Sequence, residues 1–248
     1  MRYIDKSNPS LEFEKFLNDF GQRLHGNWEK AKKITYKNKA GERIPIGRNV
    51  LLTLFKHLRT EQKGLCIYCE QLIPEKTEDN TAVYEYAHFE HVNKQELHER
   101  LIFKQENLCV SCNGFDNDIE ALDDNAKIKE FCGHFKDGHY NPTTFNSLLF
   151  LNPLEITDIE QYFNYTFSDD DTEILIVPNT SIAKEAQQKA DFMIAVLGLQ
   201  HKTLCEMRRR QYEIIREQIE KGIAVDDVLS EDYDELPAFY SMLKEQFL

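Results

Sequence analysis

Cysteines concentrated in one stretch of the chain are the first residues whose types and spacing suggest chemistry. Five of the six cysteines of this 248-residue chain lie there, two pairs at C-x-x-C spacing: Cys66, Cys69, Cys109, Cys112 and Cys132. Because the start of the sequence lacks an apolar signal segment, we expect reduced thiols, and clustered reduced thiols indicate metal binding before disulfides. Tetrahedral Zn²⁺ needs four donors. We therefore predict a structural zinc site on Cys66 and Cys69, completed from the other three cysteines.

A second set of candidate residues combines histidines with acidic and basic side chains. The segment AHFEHV carries His88, Glu90 and His91, and the later segment CGHFKD carries His134 and Lys136. Hydrolysis of a phosphodiester at neutral pH needs a base for water and a cation for the charge on the phosphate. A neutral imidazole suits the first task, and a carboxylate with one further donor can hold Mg²⁺ for the second. On its own, AHFEHV is equally consistent with a solvated strand end.

Taken in order, the motifs CIYC, HFEHV, ENLCVSC and CGHFKD resemble those of the HNH endonucleases of the ββα-metal type. In that family a catalytic hairpin and helix lie on a cysteine-bound zinc. Within the family, the chain is most similar to the HNH nuclease subunit of Septu antiphage systems, also found with some retrons, from about Trp28 to Arg210. The resemblance implies a metal-dependent endonuclease acting on DNA, or alternatively on RNA, with an ABC or SMC-like ATPase as its partner.

The resemblance also implies roles for the residues around the hairpin. His91 is expected to be the general base, and Glu90 a ligand of a catalytic Mg²⁺ or Mn²⁺ ion. Asn107 corresponds to the asparagine that props the loop carrying the base. His88 is expected to orient the base and its neighbour or to contact the metal, and a purely structural histidine is the alternative.

For the second half of the motif the resemblance leaves two registers. In the preferred register, Cys112 and Cys132 complete the zinc site across an insertion. His134 is then the second ligand of the catalytic metal, and Lys136 lies near the phosphate. This register assigns a role to the segment CGHFKD, which carries His134 and Lys136. His139 is a spare candidate because it is close to His134 in sequence.

The competing register places zinc on Cys109 and Cys112 and makes Asn113 the ligand of the catalytic metal. The long insertion before Cys132 is also consistent with a protein of a different class. That alternative is a catalytically inactive zinc-stabilised module that binds nucleic acid or protein.

The secondary-structure elements expected around these residues indicate an α+β fold that is mainly helical. Residues 1–64 are expected to form an N-terminal helical region with a basic face. A small zinc-stabilised ββα-metal module follows over 65–141, and a β-hairpin with further helices over 142–248. A thin apolar core broken by Gly, Asn and Asp is typical of a module that metal holds together.

Hydrophobic periodicity locates the individual elements. Apolar residues at three- and four-residue spacing predict helices over 10–33 and 49–62. The segments QYFNYTFS and EILIVP, on either side of DDDT, predict a β-hairpin. Two helices are expected after it, the first broken near Gly198 and the second ended by Gly222.

The formal charge of −13 argues against a protein that coats nucleic acid by bulk attraction, but the charge is unevenly placed. Residues 29–63 carry ten Lys or Arg against three Glu, so this segment, with Lys32, Lys33 and Lys37, is the predicted phosphate-binding face. The helical and acidic C-terminal half is the predicted docking surface for the partner, and deletion of residues 226–248 is expected to weaken the association. Because no apolar run of membrane-spanning length occurs, we expect a cytoplasmic protein with no membrane contact.

Overall fold

A computed structural model of the chain describes five stretches: residues 1–75, 87–93, 98–114, 131–139 and 145–248. The α-helices in them are α1 Leu11–Leu24, α2 Trp28–Lys32, α3 Ile46–Glu61, α4 Cys132–His139, α5 Lys184–Val196, α6 Lys202–Glu220, α7 Val225–Val228 and α8 Tyr240–Phe247. The strands pair as three antiparallel two-stranded sheets: β1 Tyr36–Lys37 with β2 Arg43–Ile44, β3 Ala87–His91 with β4 Leu108–Cys112, and β5 Phe163–Phe167 with β6 Ile174–Pro178. The fold is therefore α+β, as predicted. The insertion before Cys132 and the side chain of His139 lie outside the described residues.

The N-terminal helical region consists of separate helices where a single one over 10–33 was predicted. Ser10 caps α1, because its Oγ accepts a hydrogen bond from the backbone N–H of Phe13 at 3.4 Å. The chain then turns at His25 and Gly26, whose φ angles of 48° and 65° are left-handed and end the helix. Asn27 caps α2. The prediction of one continuous helix is wrong because periodicity does not register a break of a few residues.

Helices α2 and α3 pack on the β3–β4 hairpin, and α1 packs on α2 and α3. The predicted helix over 49–62 is confirmed as α3. The ring of Phe89 on β3 lies edge-on to the rings of Trp28 and Phe55, at centroid distances of 5.1 and 5.4 Å. Both rings are buried, and their removal from water holds the helices on the strand.

The C-terminal region has the predicted hairpin and the two predicted helices. Strands β5 and β6 pair over five residues each, and α5 and α6 both pack on β6. Gly222, with φ of 91°, follows the end of α6, as expected for a helix C-terminus. Within the described stretches, no helix is both long enough and apolar enough to cross a membrane.

The acidic C-terminal segment packs against the loop that carries Cys66 and Cys69. The backbone N–H and the Oγ of Ser241 both hydrogen-bond to the buried carboxylate of Glu70, at 2.8 and 2.6 Å. The backbone N–H of Leu236 donates to the carbonyl of Lys63 at 3.0 Å. Deleting residues 226–248 would therefore disturb this loop, so loss of a partner after that truncation would not by itself identify a docking surface.

Candidate metal centre and candidate active site

Four cysteines meet in one buried cluster: Cys66, Cys69, Cys112 and Cys132. Their sulfur atoms all lie within 4.8 Å of one another. The Sγ atoms of Cys66 and Cys132 are 3.8 Å apart, and those of Cys69 and Cys112 are 3.7 Å apart. Zinc–sulfur bonds of about 2.3 Å in a tetrahedron separate the sulfurs by about 3.8 Å. The cluster therefore has the dimensions of a tetrahedral Zn²⁺ site.

The loop before the first two cysteines is fixed by the side chain of Gln62, which is completely buried at the end of α3. Its amide nitrogen donates to the carbonyls of Leu65 and Val110, and its amide oxygen accepts from the N–H of Val110. These bonds join the loop to β4. They place the Cys66 pair against Cys112, the last residue of β4.

Local backbone geometry turns the sulfur atoms inward. Cys132 begins α4 with a left-handed φ of 63°, and its N–H donates to the carbonyl of Leu197 at 2.7 Å. Backbone N–H groups point at two sulfurs: that of Gln71 lies 3.4 Å from Sγ of Cys69, and that of Cys112 lies 3.3 Å from Sγ of Cys66. Such donors stabilise negative charge on sulfur.

The ionisation of these thiols shows why the cluster suits a cation. Burial raises the pKa of the Cys66 thiol, but neighbouring thiols hydrogen-bond to it and bring its pKa well below the ordinary value. The pKa values of Cys112 and Cys132 are well above theirs, mainly because of burial. Several thiolates in one buried cluster repel each other unless a cation lies between them. Together with the sulfur spacing, this makes Zn²⁺ a good fit.

Cys109 lies outside the cluster. At the cysteine site the structure therefore agrees with the register that uses Cys132. Cys109 is fully buried, and burial raises the pKa of its thiol to about 12. Residues 109 and 112 are three positions apart in β4, and side chains an odd number of positions apart point to opposite faces of a strand. The expectation that Cys109 completes the zinc site is therefore wrong.

The same alternation divides the residues of β3 between two sides. Glu90 is opposite Cys109 in the hairpin, and His91 is opposite Leu108. His88 and Glu90 face the helix α4, whereas Phe89 and His91 contact Trp28. The sequence AHFEHV is therefore a strand whose polar residues have distinct surroundings.

Glu90 is a fully buried carboxylate, and one of its two oxygens contacts both a hydrogen-bond donor and an ammonium group. Its Oε1 accepts a hydrogen bond from the hydroxyl of Tyr68 at 2.8 Å and lies 2.5 Å from the ammonium of Lys136. Burial alone would raise the pKa of this carboxyl, but Lys136 and His88 together outweigh it and lower the pKa to about 2. Glu90 is therefore ionised at neutral pH, with Oε1 anchored and Oε2 directed toward His88, 3.4 Å away.

Lys136 is as buried as its partner, with no exposed side-chain surface. Its pKa is raised because the attraction of Glu90 and Asp137 exceeds the effect of burial. A direct contact between this ammonium and a phosphate would require the ion pair to open. The described contacts make Lys136 a residue that holds Glu90 in place.

His91 is also largely buried, at the end of β3. Its Nε2 lies 2.9 Å from the carbonyl oxygen of Ile102, so this nitrogen carries the proton and Nδ1 is the basic one. The imidazole stands edge-on to the indole of Trp28 at a centroid distance of 5.1 Å. Burial lowers the pKa of His91, which favours the neutral form that a base requires.

Asn107 bridges the loop that follows His91. Its Oδ1 accepts from the N–H of Asn93 at 2.7 Å, and its Nδ2 donates to the carbonyls of Asn93 and Leu101 at 3.0 and 3.3 Å. The amide is buried and joins the two ends of the segment between β3 and β4. This is the bracing geometry expected of the predicted asparagine.

No protein-family model matches this chain, and no curated protein matches it. The assignment of its chemistry therefore rests on the geometry of its own residues.

His134 and Asn113, the alternative ligands of the two registers, both lie beside His88. The rings of His88 and His134 are stacked at a centroid distance of 3.8 Å. Nδ1 of His88 is 3.1 Å from Oδ1 of Asn113. The structure thus brings His134, His88 and Glu90 together beside α4, whereas the ring of His91 contacts Trp28.

Sequence analysis missed several residues that position the site. Tyr68 lies within CIYC, and its hydroxyl fixes Glu90. Gly133 allows α4 to approach closely, because a Cβ atom there would collide with Oε2 of Glu90. Trp28, the one tryptophan in the chain, supports His91. Its rarity was a usable signal, whereas the roles of Tyr68 and Gly133 depend on contacts across the fold.

Proposed function

We propose that this protein is a metal-dependent endonuclease that hydrolyses phosphodiester bonds of nucleic acid, with DNA as the first candidate. The observation that carries the proposal is the order of β3, β4 and α4, joined by the cysteine cluster, with an imidazole and a carboxylate ending the first strand. This order supports the ββα-metal module expected from the resemblance to HNH endonucleases. In it, zinc fixes the geometry, because a closed four-cysteine site has no open position for chemistry.

The proposed mechanism assigns one task to each residue. His91 takes a proton from the attacking water through Nδ1, while Nε2 stays bonded to the backbone. Glu90 and His134 would hold a divalent cation, and such an ion would supply stabilisation for the charge on the phosphate and on the leaving oxygen. Asn107 keeps the loop after His91 in place. Lys136 and Tyr68 hold the carboxylate of Glu90 in one orientation.

The direct test is cleavage of supercoiled plasmid, and in parallel of structured RNA, by the zinc-loaded full-length protein with Mg²⁺ or Mn²⁺. We expect nicking that stops when a chelator removes the divalent ion. No cleavage of either substrate with either ion, by protein that retains its zinc, would contradict the proposal.

One observation favours the non-catalytic alternative. The carboxylate of Glu90 already has a cation beside it, the ammonium of Lys136, so the cluster also fits a purely structural ion pair. In that case the protein is a zinc-stabilised module that binds nucleic acid without cutting it. The cleavage assay distinguishes the two functions, since binding without nicking is the result expected of the second.

Contact with the phosphate backbone is proposed for the basic segment from α2 to α3. Lys32, Lys33 and Lys37 are exposed, and α2 begins at Trp28, which contacts His91. In the hairpin, Lys37 lies directly opposite Arg43, a like-charge pair that an anion would relieve. The segment therefore joins the candidate base to a row of exposed cations.

Reversal of these three charges to Glu is expected to weaken DNA binding by at least about tenfold at low salt and to flatten its salt dependence. Fluorescence anisotropy at several salt concentrations measures both effects. Reversal of Lys184, Lys202 and Lys221, also exposed, changes the net charge equally and serves as the control. Equal loss of affinity in both triple variants would show that bulk charge alone is responsible.

The role in antiphage defence and the ATPase partner follow from the resemblance alone, and both stay predictions. Co-purification of the intact chain with a co-expressed ATPase would test the partner without disturbing the loop at Cys66.

A further inference from the structure

The hydrogen bond of His88 fixes which of its ring nitrogens can bind a metal. Nδ1 lies 3.1 Å from Oδ1 of Asn113, an oxygen that can only accept, so Nδ1 carries the proton. Nε2 then presents a lone pair. A ligating histidine is commonly held in this way, with one nitrogen bonded to a neighbouring oxygen and the other free for the ion.

The surroundings of Nε2 are those of a ligand atom. Within the described residues, Nε2 of His88 is buried and has no hydrogen-bond partner. It lies 3.4 Å from Oε2 of the ionised Glu90, longer than an ordinary hydrogen bond to oxygen. A cation placed between these two buried atoms could be bound by both of them.

The spacing of the two atoms suits a shared ion. Bonds of about 2.1 Å to two neighbouring ligands, at angles between octahedral and tetrahedral, separate the ligand atoms by about 3.0 to 3.5 Å. The measured 3.4 Å falls within this interval. The pair therefore needs little rearrangement to bind one ion.

The helix α4 approaches both atoms closely at Gly133. A Cβ atom there would collide with Oε2 of Glu90 and lie 2.9 Å from Nε2 of His88, so only glycine fits beside them. His134, one position later, stacks on His88. The three ligand atoms are not all within 4.8 Å of one another, so His134 would join the ion by rotating its ring.

We propose that Nε2 of His88 and Oε2 of Glu90 are both ligands of the divalent ion, and that the site consequently prefers a first-row transition metal to Mg²⁺. Imidazole nitrogen suits ions of the Mn²⁺ to Zn²⁺ series, whereas Mg²⁺ is held by oxygen and water. The inference deepens the proposed nuclease by naming its metal, but the binding site is independent of whether the protein cuts nucleic acid.

The test is metal binding by the full-length protein with zinc already in its cysteine site, with Mn²⁺ as the probe. Loss of the electron paramagnetic resonance signal of free Mn²⁺ counts the bound ions, and competition with Mg²⁺ gives the preference. We expect one Mn²⁺ per chain in the wild type. In His88→Ala, Mn²⁺ affinity should fall at least about tenfold while Mg²⁺ affinity changes much less.

Two further variants keep the outcome interpretable. His98→Ala removes an exposed histidine and should bind Mn²⁺ as the wild type does. His88→Asp replaces nitrogen with oxygen and should restore an ion site with its preference shifted toward Mg²⁺. Zinc content and melting temperature must match the wild type in each variant.

The proposal is overturned if His88→Ala binds Mn²⁺ as tightly as the wild type, or if the wild type binds no Mn²⁺ beside its zinc. Loss of Mn²⁺ binding in His88→Ala supports it even if no variant cleaves nucleic acid, because that failure would count against the nuclease alone. Cleavage by His88→Ala with an unchanged metal preference would support the nuclease and count against His88 as a ligand.

Discussion

Replacement of Cys132 by serine is expected to empty the zinc site and to destabilise the protein by several kcal/mol. A structural Zn²⁺ site contributes roughly 10–16 kcal/mol in small zinc modules, and its affinity depends on all four donors. Cys132 supplies the one sulfur that joins α4 to the β3–β4 hairpin. Its loss should therefore release α4, and with it Lys136 and His134. Zinc per chain by elemental analysis and the melting temperature measure the effect.

The matched control for this prediction is Cys109→Ala. Cys109 is as buried as Cys132 and lies in β4, but it is outside the sulfur cluster. We expect this variant to keep one zinc per chain and to lose only about 1 kcal/mol, the usual order for removing a small buried group. Retention of tightly bound zinc by Cys132→Ser, or its loss in Cys109→Ala, would show that the cluster is not the metal site.

The second large effect is expected from His91→Ala, which should lower the rate of plasmid nicking by roughly 10²- to 10⁴-fold, the usual contribution of a general base. The fold should survive, because the variant loses an edge contact with Trp28 and one hydrogen bond to Ile102. Single-turnover nicking with saturating protein separates this loss from weaker binding. Zinc content and circular dichroism confirm that the fold is intact.

His91→Asn provides a second version of the same test. Its amide can still donate to the carbonyl of Ile102, but it cannot take a proton from water. Both variants should therefore be inactive, while DNA affinity stays near that of the wild type. Nicking by either variant at the wild-type rate would remove His91 from the mechanism and, with it, the main support for a ββα-metal nuclease.

Glu90 is a poorer target for such a test, although it is central to the site. Removing its charge would take from the buried ammonium of Lys136 its closest carboxylate, and losing one member of a buried pair costs about 3–5 kcal/mol. A loss of activity in Glu90→Gln would then mix misfolding with chemistry. The histidines lack this problem because the variants leave no buried charge behind.

The sequence by itself predicted the elements whose signals are local. The pair of Cys66 and Cys69 indicated a metal knuckle, periodicity located α3, and alternation around DDDT located the β5–β6 hairpin. These features depend on spacings of a few residues, which the chain carries directly. The break of the first predicted helix at His25 is local too, but a single left-handed turn leaves little trace in a hydrophobic pattern.

Only the tertiary structure decided which distant residues meet. Cys132 rather than Cys109 completes the cysteine cluster, and Lys136 pairs with Glu90 in the interior. The physical reason is that strand pairing and helix packing set these distances. The face on which a side chain lies also depends on its position in the strand, and the sequence alone does not show where the strand begins and ends. Burial then decided the chemistry, since the same lysine in water would have been free to meet a phosphate.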